Sequence, residues 1–366
     1  MPRVLHIIPT LDRSGAEKQL TLLARGLARN EFDPHVCVLS RSGPYEADLR
    51  QADIPVTVIG KSLKADPAAF WRLKRHIAAL RPDLVHTWLF AANSYGRGAA
   101  LAAGVKRLVA AERCVDPWKV WHELAIDRWL ALRTDRIVVN SGGIRDFYAR
   151  HGLAAEKFVV IPNGVDLPPP TDVNRSELLA DLGLPPHARL IGAVGRLWPQ
   201  KRFKDLIWAA DLLKVIRDDV HLLIVGDGPQ RGRLEQYRRQ VRIEDKVHFL
   251  GHRADVPKLM PHFDVLWLGS EYEGLPNVIM EAMSAGVPVV ATDISGNRDL
   301  VVPDETGYLV PVGDRAAFAR QANKVLDDTE LARRLGQAAR QRILSEFTVK
   351  QMVERHENLY REVLSS

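Results

Sequence analysis

The richest chemistry in this chain lies in Ser270-Glu-Tyr-Glu-Gly-Leu-Pro-Asn-Val-Ile-Met-Glu-Ala-Met-Ser-Ala-Gly286. Two carboxylates, Glu273 and Glu281, have seven residues between them. Gly274 and Pro276 mark a loop and the run after them reads as a helix, which places Glu273 just ahead of that helix and Glu281 about a turn and a half inside it. Backbone N–H groups in the first turn of a helix lack partners within it, so those present within 275–278, where Pro276 has none, are expected to face an anion such as a diphosphate. A single glutamate on a helix is usually a solvated charge. Glu281, however, sits among Val278-Ile-Met and Ala282-Met, and a charge among apolar neighbours needs a partner.

A second group is Ala193-Val-Gly-Arg-Leu-Trp-Pro-Gln-Lys-Arg202, where Arg196 and Lys201 follow an apolar run. Two cations at a strand end suit a departing diphosphate, although two surface cations are the plainer reading. Val225-Gly-Asp-Gly-Pro229 is a glycine turn, and Gly226 alone is a weak signal. Near the start, Asp12-Arg-Ser-Gly-Ala-Glu17 joins a strand to a helix; Gly15 would let a ligand approach the backbone, or would simply turn the chain. His86, near a strand's carboxyl end, could touch an acceptor, but a lone histidine is more often structural.

Such groups need strands that end along one edge. Strand-like runs at 4–9, 36–40, 56–59, 83–88, 108–111, 136–140 and 158–161 alternate with helical stretches at 16–30, 67–80 and 93–103. After the proline-rich stretch 162–170 the alternation resumes at 190–195, 221–225, 247–250, 265–268 and 288–291. The pattern predicts an α/β protein with two doubly wound parallel sheets, residues 1–165 and 189–345, joined by a linker over 166–188. Two such domains leave a cleft, with ligands at the strands' carboxyl ends.

The chain's 366 residues also suit two domains. A hydrophobic fraction of 46% and a charged fraction of 26% exclude a disordered chain, collagen or a coiled coil. No apolar run approaches the roughly 18 residues of a membrane span, and the short run at 4–8 does not make a signal peptide, so a cytoplasmic location is expected. Cys37 and Cys114 have no metal or disulfide spacing, and Cys37 reads as a buried thiol. The net charge of +6 is concentrated at the front: residues 1–165 hold 24 Lys and Arg against 16 Asp and Glu. Five of the eight tryptophans lie there too. The stretches 70–81 and 117–133 are basic and aromatic. They read either as helices lying on an anionic membrane surface or as ordinary helices whose Trp and Leu face the sheet. No nucleic-acid recognition module is present, and no nucleic-acid partner is expected.

Taken in order, Ser14-Gly-Ala-Glu17, Ile161-Pro-Asn-Gly-Val-Asp166, Gly195-Arg196 with Lys201, Val225-Gly-Asp-Gly-Pro229, Phe249-Leu-Gly251 with Asp255, the Glu273 and Glu281 pair, and Gly286-Val-Pro-Val-Val-Ala-Thr292 resemble the retaining GT-B glycosyltransferases of glycosyltransferase family 4. The resemblance covers nearly the whole chain. It implies two Rossmann-like domains, with a final helix at about 347–364 returning to the first. It implies hexosyl transfer with retention from a nucleotide-diphosphate sugar, UDP-sugar ahead of GDP-mannose, to a saccharide or lipid-linked acceptor in polysaccharide or cell-envelope glycan synthesis. No cofactor beyond the donor and no metal is implied.

By the same resemblance, Arg196 and Lys201 neutralise the donor diphosphate, Glu273 binds sugar hydroxyls and Glu281 the ribose. The backbone of Gly274, Leu275, Pro276 and Asn277 lies near sugar and phosphate, Arg253 and Gly226 near the base, and Gly15 near the phosphates. Two positions depart from the pattern. Trp88 stands where many relatives carry a second histidine, and Glu112-Arg113 stands where many have a histidine after the strand. No catalytic histidine is therefore assigned, and Arg113 is a candidate for an acceptor phosphate or the donor sugar. Competing readings are a nucleotide-sugar epimerase on the same fold and, among non-enzymes, a nucleic-acid-binding or glycan-binding protein. A nicotinamide dehydrogenase is disfavoured because no Gly-x-Gly-x-x-Gly follows the first strand.

Overall fold

The computed structural model describes residues 1–117, 119–168 and 173–366. Trp118 of the aromatic stretch and Pro169 and Pro170 of the proline-rich stretch lie outside the described residues. The chain divides into two units, Met1–Gly164 with Thr348–Ser366, and Val165–Phe347.

In the first unit β1 (Arg3–Thr10), α1 (Gly15–Gly26), β2 (Asp33–Arg41), α2 (Tyr45–Gln51), β3 (Val56–Val58), α3 (Pro67–Leu80), β4 (Leu84–Trp88), α4 (Leu89–Ala102), β5 (Leu108–Glu112), α5 (Trp121–Ala131), β6 (Arg136–Val139), α6 (Gly142–Arg150) and β7 (Phe158–Val160) follow one another. The strands form a parallel sheet in the order β3-β2-β1-β4-β5-β6-β7. Alternation along the strands decides what each face buries. Val4 and Ile8 of β1 face α1, whereas Leu5 and Ile7 face α3 and α4.

The second unit runs α7 (Arg175–Asp181), β8 (Arg189–Val194), α8 (Phe203–Lys214), β9 (Val220–Val225), α9 (Arg231–Gln240), β10 (Val247–Gly251), α10 (Val256–Leu259), β11 (Val265–Leu268), α11 (Asn277–Ser284), β12 (Val289–Thr292), α12 (Ser295–Arg298), β13 (Gly307–Val310), α13 (Arg315–Asp327) and α14 (Thr329–Glu346). Its parallel sheet has the order β10-β9-β8-β11-β12-β13. The last helix, α15 (Val349–Ser365), belongs to the first unit and buries Met352, Val353, Leu359, Tyr360 and Val363 beside α1. A capping box between Thr348 and Gln351 starts it.

Two sequence expectations need correction. The segment 166–188 is not all linker: α7 buries Leu178 and Leu179 in the second core, together with Leu184 and Ala188. Its Leu-Leu pair sits in a short polar context that masked the helical period. Strand β13 lies outside the strand runs of the sequence; it is four residues long, pairs along β12, and its Gly307 also bridges to Pro303. Cys37 is buried as expected, and burial pushes its thiol up to about 12.

Candidate active site

The second unit's sheet reverses its winding at one place. β8 and β11 are neighbours, yet α8 after β8 packs its Phe203, Leu206 and Leu213 into one core cluster, and α11 after β11 packs Ile279, Met280 and Met283 into the other. The loops that follow, 195–202 and 269–276, part from each other at the carboxyl edge, where open α/β sheets hold ligands.

These two loops are tied together by their functional side chains. The Lys201 ammonium is paired with the Glu273 carboxylate, and both are largely buried. Ser270 Oγ donates to the same Glu273 oxygen at 2.6 Å. Gln200 bridges the loops twice: its Nε2 donates to the Tyr272 carbonyl at 2.6 Å, and its own carbonyl accepts from Glu271 N at 2.9 Å. Below them, Thr292 Oγ1 donates to the Ser270 carbonyl at 2.5 Å, and Asn297 Nδ2 to the Thr292 carbonyl at 2.8 Å. Gly296 lets α12 lie against the loop, since a Cβ there would fall on the Gly274 carbonyl oxygen. Ser270, Thr292 and Gly296 escaped assignment from sequence. Small polar residues and a glycine carry no charge pattern, and their task is to hold Glu273 in place.

The two cations are held differently. Arg196 shares its loop with Lys201 but is exposed, its guanidinium 5.8 Å from the centre of the Trp198 ring. Gly274, Leu275 and Pro276 are buried, and the Leu275 side chain belongs to the core, so only backbone there can meet a ligand. Asn277 opens α11, and half-buried Glu281 stands just over one turn in, nearer the helix start than the sequence suggested. Gly226 has φ +137°, donates its N–H to the Gly251 carbonyl at 2.7 Å, and has the Gly195 carbonyl oxygen where a Cβ would be. Its task is to let the loops after β8 and β9 touch. Arg253 forms a two-pronged pair with Asp255 at 2.9 and 2.6 Å, and this guanidinium holds the Asp255 carboxyl below its usual range.

The remaining candidates lie in the first unit. Gly15 is the first residue of α1. The loop before it is braced by Arg41 on Asp12, at 2.6 Å through both nitrogens, and by buried Glu17, which accepts from Thr10 Oγ1 at 3.1 Å and from Ser14 Oγ. His86 is fully buried, and its Nδ1 meets the Tyr360 hydroxyl of α15 at 2.7 Å. The two-residue period from Leu84 to Trp88 turns it to that face, so the structural reading of His86 holds. Arg113 is buried, donates to Asn163, and lies 5.1 Å from the Trp88 ring centre; burial lowers its guanidinium to about 9. Among the described residues no three His, Cys, Asp or Glu side chains are grouped so as to hold a metal ion.

The family profile described as glycosyl transferases group 1 matches residues 174–342, and that of Glycosyltransferase Family 4 matches residues 13–168. The chain is similar to the UDP-Gal:alpha-D-GlcNAc-diphosphoundecaprenol alpha-1,3-galactosyltransferase of Escherichia coli, at 29% identity over 91% of this chain and 90% of that one. It is also similar to the 2-deoxystreptamine N-acetyl-D-glucosaminyltransferase of Streptomyces fradiae, at 31% identity over 75% and 71%. Among solved structures, Anabaena HepE in complex with UDP-glucose superposes with a TM-score of 0.88 at 26% identity, over 99% of this chain and 100% of that one. With both sheets parallel and both units matched, the fold is GT-B, and the chain belongs to the group 1 glycosyltransferases of glycosyltransferase family 4.

Proposed function

We propose that the protein transfers a hexosyl group from a UDP-sugar to a saccharide or lipid-linked acceptor in cell-envelope glycan synthesis, with retained configuration and without a metal. The observation that carries this reading is the Lys201–Glu273 pair at the parting of the β8 and β11 loops, beside the start of α11. In the unliganded protein each charge compensates the other. A bound diphosphate would draw the Lys201 ammonium to itself, and the released Glu273 carboxylate would accept hydrogen bonds from sugar hydroxyls. Arg196 would supply the second cation, Glu281 would hold the ribose, and Gly15 would offer backbone N–H groups at the start of α1. UDP is favoured because HepE is described with UDP-glucose and the Escherichia coli relative is named for UDP-Gal. That relative's name also carries a diphosphoundecaprenol acceptor, which supports a lipid-linked acceptor here.

In this mechanism the bond from the anomeric carbon to the diphosphate oxygen breaks as the acceptor oxygen bonds to the same carbon on the same face. The acceptor's proton passes to a phosphate oxygen of the leaving UDP. The protein's main task is to stabilise the departing charge with cations and a helix start, and no nucleophilic side chain is required. Calorimetric titration with UDP and with GDP, in the absence of metal, tests the donor site. Micromolar UDP binding that weakens in Glu281→Ala is expected; binding of neither nucleotide would overturn the assignment.

A further inference from the structure

Helix α5 is built inside out. The positions it turns inward are Glu123, Asp127, Leu130 and Ala131, two of them acids. Asp127 accepts from Arg97 Nη2 at 2.9 Å and from Lys119 Nζ at 2.8 Å, and all three groups are buried. Lys119 also lies 3.4 Å from Asp116 and 3.6 Å from Glu112, and donates to the Tyr148 hydroxyl at 2.9 Å. Glu123 closes the start of the helix by accepting from Val120 N at 3.2 Å. Charge, more than an apolar stripe, fastens α5 to its unit.

The apolar residues that an amphipathic helix normally buries are outside. Trp121 is 77% exposed, Leu132 at the end of the helix 74%, and Trp129 52%; Val120 and Ile126 are exposed as well. Of the two ways of facing open to the stretch 117–133, these tryptophans take the outward one. The charges beside the two tryptophans are positive, while Leu132 also borders a pocket whose lining includes Asp135 and Glu156. Arg128 and Arg133 are exposed, the Arg133 guanidinium lies 4.5 Å from the Trp129 ring centre, and Lys64 reaches to within 3.8 Å of Glu123. Both acids of the helix point inward, so its outer face has no negative charge of its own.

Such a face fits a partner that is apolar in depth and anionic at its surface. Tryptophan with arginine suits the headgroup level of a bilayer, where the ring sits among acyl chains and the cation meets phosphate. A second copy fits poorly, because a two-fold contact would bring two positively charged helix faces together. We propose that the outer face of α5 docks the protein on an anionic lipid surface, with Trp121, Trp129 and Leu132 inserted and Arg128, Arg133 and Lys64 on the headgroups. The inference extends the reading of a lipid-linked acceptor to the place where the protein works. Its test uses neither donor nor acceptor, so the two can fail separately.

The full chain is sedimented with vesicles of phosphatidylcholine alone and of phosphatidylcholine with about one-third phosphatidylglycerol, at low and high salt. The expected result is binding only to the anionic vesicles, weakened by salt, and reduced about tenfold or more in the triple variant Trp121→Ser, Trp129→Ser, Leu132→Ser. Circular dichroism of that variant should match the wild type, since the three side chains face outward. No binding by the wild type, or equal binding by the folded variant, would overturn the proposal. So would a dimer in solution that the triple variant abolishes without any vesicle binding, because the occupant would then be a second copy.

Discussion

Lys201 and Glu273 were each legible as candidates in the sequence, because a cation after one strand and a carboxylate before a helix have recognisable contexts. Their pairing was not, since they lie 72 residues apart and meet only because β8 and β11 are neighbours. The pairing makes a prediction for single side chains. Lys201→Ala should lower turnover by about 10²–10³-fold by removing a charge that stabilises the leaving group. Initial rates with UDP-sugar check it. In the unliganded protein the two charges compensate each other, so Glu273→Gln in the Lys201→Ala background should cost far less stability than it does alone. Urea midpoints for the four proteins of this cycle check that, and fully additive losses would contradict the pairing. Glu281→Ala should weaken UDP binding by about 1–3 kcal/mol, read by calorimetry.

At the scale of elements, the loops and helices are held by contacts that sequence patterns do not display. Gly226→Ala would press a Cβ onto the Gly195 carbonyl oxygen at a backbone angle unsuited to a side chain. A loss of about 2–3 kcal/mol is expected, seen as a lower midpoint in urea. Asp127→Asn would remove the charge facing two buried cations, Arg97 and Lys119, and should cost about 3–5 kcal/mol in the same measurement. The helical period of α3 is readable because its buried positions are Ala69, Leu73 and Ile77, and that of α1 because Leu20, Leu23 and Ala24 mark its face even though Glu17, Gln19 and Thr21 are buried as well. That of α5 left two readings open because its inward positions include two acids, and the buried partners Arg97 and Lys119 explain why Asp127 is there.

At the scale of the molecule, stability should depend on pH through the histidines buried where α15 meets β1 and β4. His6 and His356 are fully buried, and burial lowers both to about 3; His86 between them lies well below its ordinary value for the same reason. The Nε2 atoms of all three are buried without a hydrogen-bond partner, so a proton there would be an unsolvated charge. Below pH 6.5 the unfolded chain takes up protons that the folded one refuses. The stabilisation is therefore complete above 6.5 and is lost as the pH falls toward 3. Glu112 opposes this: burial raises it to about 7, so between pH 4.5 and 7 the folded state holds a proton that the unfolded chain releases. Burial also lowers His76, His221, His248 and His262 and also raises Asp116, so seven histidines against two acids leave a net loss on acidification, at about 1.4 kcal/mol per pH unit for each proton at the fully buried histidines. Denaturant midpoints at pH 7.5 and 5.5 should fall in that order, and His356→Leu should flatten the difference by about one proton. A midpoint independent of pH would contradict this account.

The sequence by itself determined the class of the protein. Alternation of apolar strands with helices, turn residues at the strand ends, and the ordered arginine, lysine, glycine and glutamate motifs are local properties, and local properties can be read along a chain. What tertiary structure alone decided was partnership. The pairing of Lys201 with Glu273, the bracing of that glutamate by Ser270, Thr292 and Gly296, the burial of His86 against Tyr360 and the inversion of α5 all depend on which strands are neighbours and which face each helix covers. Those choices join residues tens to hundreds of positions apart, and burial then turns an ordinary charge or imidazole into one whose partner must be found across the fold.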